Sequence, residues 1–209
     1  MTKLFNFIRI KYAAKYVAVI ALSIALVLQT TEFISATIVE GFLSEHLFSF
    51  LVDLAASSFI IYAILAKHIK LLEISVIVLK TFEGTYYPLR STQRIDALIA
   101  STGTSLFYVI NHIIFAVASG MMLVSLIVFC IFKVNDKKKY WYIMKLCILI
   151  AAIVMLVSSV LYTINIVSGG IEWTELLEPY SLVLMFLGVY ATCEYIEAIN
   201  DDTKETSAS

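Results

Sequence analysis

The sequence predicts an all-α fold, a multi-pass bundle of transmembrane helices, and three observations carry that expectation. Of 209 residues, 61% are hydrophobic and only 15% are charged, whereas soluble domains carry about 25% charged residues. The fifteen Lys and Arg residues are confined to the first fifteen positions, 67–94, 133–145 and Lys204. Between those clusters lie apolar runs as long as the roughly 20 residues a helix needs to cross a bilayer.

Taken in order, the first helix spans 16–39. Its basic approach, Lys3, Arg9, Lys11 and Lys15, resembles a cleaved leader, but the apolar run exceeds the roughly 7–15 residues of a leader's core. A retained helix is expected, with 3–15 lying in the interface because cations alternate there with Phe, Ile and Tyr. The second helix starts at Leu47 and its apolar stripe continues past Lys67 and Lys70 through Ile69, Leu72, Val76 and Leu79, giving 47–82. The third, 92–133, follows Pro88 with Ser91 or Thr92 as its cap. Both exceed the roughly 30 Å hydrocarbon core, so the pair is expected to extend beyond the membrane, with the EGTYYPLRSTQR segment as its turn. The fourth, 141–167, opens on Tyr140, Trp141 and Tyr142, rings suited to the headgroup layer. The fifth, 175–199, has Pro179 in its first turn. Residues 1–199 read as one domain, and 200–209 as a disordered acidic tail.

Positive charge faces the cytoplasm in membrane proteins, which puts the N-terminus inside, in the cell membrane. Five crossings then leave Lys133, Lys137, Lys138 and Lys139 outside. Six crossings, made by folding 97–132 into a hairpin near Ser119 and Gly120, bring every cation inside. Five are favoured because such a turn lacks proline and charge; six remain the alternative.

Composition excludes several classes. A net charge of −1 with no basic, aromatic-laced stripe argues against nucleic acid. Cys130, Cys147 and Cys193 share no short spacing and read as small core residues. HExxH, GxSxG, CxxC and Gly-rich phosphate loops are absent, so neither enzyme activity nor a cofactor is expected, and no metal is assigned. Helices 1, 2 and 4 hold no Gly or Pro, unlike the broken helices of transporters.

Intramembrane charge is the main functional pointer, since it is costly in lipid. Glu32 and Asp53 are expected at similar depth, roughly 9–10 Å below the surface on adjacent antiparallel helices, forming a cation or proton site. Helical spacing places Gln29 and Ser35 with Glu32, and His46, Ser49 and Ser57 with Asp53. On helix 3, Ser101, Ser105, Tyr108, His112 and Ser119 share a polar face, with Asn111 beside them. Lys145, one turn inside Trp141, reads as reaching back to the surface. Glu40 and Glu45 in the first loop, and Glu172, Glu175 and Glu178 before the last helix, form acidic rims that concentrate cations. These features predict a homo-oligomeric, cation-conducting channel or transporter in the lipid bilayer. The alternative is a non-enzymatic accessory or scaffold subunit docked to other membrane subunits.

Overall fold

A computed structural model describes residues 2–40, 44–100, 106–135, 137–167 and 176–207. Among these the chain is six helices, α1 (Thr2–Glu40), α2 (Ser44–Ala66), α3 (Ile69–Ala100), α4 (Leu106–Asn135), α5 (Lys138–Val167) and α6 (Leu177–Ser207). Five of them, all but α3, are long and apolar enough to cross a membrane. The all-α bundle is therefore as expected, and it suits a multi-pass membrane protein.

Successive helices are antiparallel. Gln29 meets Asp53, Phe48 meets Phe82 and Tyr86, and Glu73 pairs with Lys133. Asn111 meets Ser158, Lys145 meets Glu194, and Thr163 meets Tyr180. The bundle closes where α6 returns beside α1, with Gly188 against Leu22 and Met185 beside Gln29. One end of the bundle, the basic end, therefore holds Lys15, Lys67, Lys70, Lys133, Lys137, Lys138 and Lys139. Arg90 and Arg94 lie on the half of α3 that leads away from it, so the 67–94 cluster is divided between the two ends.

The helix boundaries differ from expectation at several places, and the expected helix 92–133 is divided between α3, which runs to Ala100, and α4, which starts at Leu106. The hydrophobic stripe carries the second helix through 82, yet α2 stops at Ala66, where Lys67 takes φ 59°. His68 N–H then bonds to the Ala63 carbonyl at 2.9 Å, and the His68 carbonyl accepts the first bond of α3 from Leu72 at 3.0 Å. That is a left-handed helix terminus made without glycine. The expected turn at EGTYYPLRSTQR lies inside α3, which stays helical through Pro88, Ser91 and Thr92. Gly84 serves contact there rather than reversal: a Cβ on it would lie 2.8 Å from the Leu123 backbone. The 200–209 segment is helical to Ser207.

Packing follows size. On α1, Ala18, Ala21, Leu22 and Ala25 form a buried stripe towards α6, where small side chains let the backbones approach closely. α6 is the most enclosed span, with 67% of its apolar window buried, although its mean hydropathy of 1.6 is the lowest of the five. The opposite surface is hydrocarbon: Ile20, Val27, Ile113, Ile127, Ile153 and Val160 are exposed, and only acyl chains make so broad an apolar surface stable. Ile74 and Val78 extend that surface onto α3. Hydroxyls avoid needing water by donating one turn back, as Thr30 does to the Leu26 carbonyl and Thr192 to that of Gly188.

Candidate functional site

The inner face of α2 is polar at three- and four-residue spacing, through Ser49, Asp53 and Ser57, and all three are buried. Gln29 from α1 meets this face. Its Nε2 donates to Asp53 Oδ2 at 3.1 Å and approaches Met185 Sδ on α6 at 3.8 Å. With its amide nitrogen committed, Gln29 Oε1 is left as an acceptor; it and Ser57 Oγ are buried without a hydrogen-bond partner. Asp53 is only 2% exposed. The cluster thus gathers a carboxylate, an amide carbonyl and a hydroxyl, the hard oxygen donors that suit a small cation or a proton.

The other expected site residues divide between this cluster and elsewhere. Glu32 and Ser35 continue the α1 face and are half-buried, beside the Phe33–Phe50 stack at 4.7 Å. Tyr108 and His112 belong to α4, whose main neighbours are α3 and α5, so they lie apart from Asp53. There Phe107 packs on Tyr162, and Asn111 accepts a 2.7 Å bond from Ser158. The helix termini at Glu40, Glu45 and Glu178 share the end opposite the basic one, the arrangement a single acidic rim requires. Ser101, Ser105, Glu172 and Glu175 lie outside the described residues, as do the side chains of Glu40, Glu45 and His46. Among the described residues no three His, Cys, Asp or Glu side chains converge as a metal site.

Sequence reasoning missed a second polar cluster near the basic end. Lys145, far from reaching to the surface, is buried and donates to Glu194 Oε1 at 2.8 Å and to Glu197 Oε2. Trp141 Nε1 donates to the same Glu197 oxygen at 3.0 Å. Two carboxylates three residues apart in an otherwise apolar run were the available signal, since neither is tolerated in a membrane without a partner. Lys80 on α3 was missed too. It is completely buried, its Nζ has no hydrogen-bond partner, and it lies 5.6 Å from the centre of the Phe129 ring.

Comparison of the chain with protein-family models, characterised proteins and solved structures finds no match. The bundle defines a class, multi-pass helical membrane proteins with a polar core, and the site itself must supply anything finer.

Proposed function

We propose that this protein moves a small cation or a proton across the cell membrane, using Asp53 as the binding group. The observation that carries the reading is the buried Gln29–Asp53 hydrogen bond beside two unpartnered oxygens, Gln29 Oε1 and Ser57 Oγ. A carboxylate so deep in the bundle is costly in lipid, which marks Asp53 as a functional position. Because Gln29, Ser49, Asp53 and Ser57 all face into the bundle, the proposed path runs inside one chain. A homo-oligomer repeats that path rather than creating it on an axis between copies.

In this reading the N-terminus is cytoplasmic, since the basic end gathers Lys15, Lys67, Lys70, Lys133 and Lys137–Lys139. The antiparallel course of α3 between α2 and α4 supports counting it as a sixth crossing. Its Glu73 is paired with Lys133 and its Lys80 is buried, while Ile74 and Val78 face outward. The acidic termini at Glu40, Glu45 and Glu178 then form one outer mouth.

The test is flux into liposomes. Asp53→Asn, alone and with Glu32→Gln, is expected to abolish cation or proton uptake while the protein still folds. Wild-type flux from a folded double variant sinks the proposal.

One observation favours an accessory subunit instead. α3 has 32 residues, about 48 Å of helix against a core of about 30 Å. Its far half, with Arg90, Gln93, Arg94 and Asp96, suits docking to another subunit. A chain that unfolds whenever it is purified alone favours this reading over transport.

A further inference from the structure

Lys80 is the largest completely buried side chain among the described residues, and its amine has no hydrogen-bond partner. An ammonium held dry and unpaired is strongly disfavoured, whereas a neutral amine is not. The site therefore distinguishes sharply between two protonation states of one nitrogen. Its surroundings set other titratable groups near that nitrogen. Cys147 on α5 and Cys193 on α6 are buried and lie within electrostatic reach of Lys80. Cys193 is in turn within reach of Lys145, Glu194 and Glu197. Those three carry two carboxylates for one ammonium, so a further positive charge nearby is electrostatically welcome. Glu194 and Glu197 keep 28% and 22% of their side-chain surface exposed.

The other neighbours leave the amine for this use. From α4, Lys133 lies 5.4 Å from the opposite partner of the contact, the same Phe129 ring, and is committed to Glu73 at 2.8 Å. Tyr190 on α6 is engaged with Glu194.

We propose that Lys80 is a proton-carrying group, so that the ion this protein moves is the proton. In the step, the neutral Lys80 amine takes up a proton on its lone pair and becomes an ammonium, which gives that proton up again on release. This deepens the transport reading and rests on it for the direction of flow.

Two measurements test it. In liposomes loaded with a pH-sensitive dye, Lys80→Met is expected to lower potential-driven proton uptake at least about ten-fold. Lys80→Arg, a cation that does not give up its proton, is expected to do the same. Undiminished proton uptake in either folded variant overturns the proposal. So does a wild-type protein that moves sodium or potassium but no protons, an outcome that leaves the Asp53 reading standing. The second readout is the 15N resonance of Lys80 Nζ in nanodiscs, assigned by its loss in Lys80→Arg. It is expected to move between amine and ammonium positions with pH while the protein remains folded. If the wild type moves no cation at all, the transport reading fails; a pH-responsive resonance then still supports the proton site, and one fixed as ammonium overturns it.

Discussion

The His68 N–H bonds to the Ala63 carbonyl at 2.9 Å, and that closure turns what reads as one long helix into the antiparallel pair α2 and α3. The residue between them, Lys67, sits at φ 59°, where a side chain with a Cβ costs about 1–2 kcal/mol. Lys67→Gly is expected to stabilise the fold by about 1 kcal/mol. Lys67→Val, which is β-branched, is expected to destabilise it by more than Lys67→Ala does. Thermal unfolding in a common detergent ranks the three; a Lys67→Gly protein less stable than the wild type contradicts this account of the turn.

Gly84 and Gly188 both lie at close helix contacts, but the opposing atoms differ. A Cβ on Gly84 meets the Leu123 backbone at 2.8 Å, whereas one on Gly188 meets the Leu22 side chain at 2.6 Å. Backbone yields only if α3 and α4 separate; a leucine side chain has other rotamers. Gly84→Ala is therefore expected to cost about 1–3 kcal/mol, and Gly188→Ala distinctly less. Equal losses in a thermal melt would show that the α3–α4 spacing is not set by Gly84.

What the sequence made legible follows from lipid. The five apolar spans could be read because hydrocarbon tolerates little else over 20 residues, and the polar faces that hold Gln29 and Asp53 could be read from their helical spacing, whereas the pairing of Asp53 with Gln29, where the sequence sets Glu32 opposite it, could not. The turn at Lys67 could not, since Ala66, Lys67 and His68 contain neither Gly nor Pro and the apolar stripe resumes at once with Ile69 and Leu72. Gly84 and Pro88 pointed to a turn that the structure lacks, because a glycine needed for close approach has the same letter as one needed for reversal. Lys80 escaped notice for a related reason: in a segment expected to project into water, a lysine is unremarkable. The pairing of Lys145 with Glu194 and Glu197 depends on which helices are neighbours, and 49 and 52 residues of chain intervene.

That pairing has its own consequence. Lys145→Met leaves two half-buried carboxylates without their cation and is expected to destabilise the protein by about 2–3 kcal/mol. This is below the range for a fully enclosed pair, because both carboxylates keep some contact with solvent. Adding Glu194→Gln and Glu197→Gln to Lys145→Met is expected to restore part of the loss, since the uncompensated charges are gone. A triple variant no more stable than Lys145→Met in thermal unfolding would mean that lost packing, not charge, is responsible.

The course of α3 decides which cations face the same way. If α3 crosses beside α2, Lys67 and Lys138 lie at one surface and Glu178 at the other. If instead α2 and α3 formed one continuous helix projecting from the membrane, Lys138 would lie at the surface opposite Lys67, and Glu178, beyond the other end of α5, would share the surface of Lys67. Single cysteines placed at 67, 138 and 178, in a background with Cys130, Cys147 and Cys193 replaced by alanine, separate these arrangements. With a membrane-impermeant maleimide on intact cells, label is expected at 178 alone; after lysis it is expected also at 67 and 138. Label at 138 in intact cells with 178 protected would rule out the antiparallel crossing. The acidic helix termini would then lose their place at one mouth, and the electrostatic support for cation entry near Asp53 would go with it.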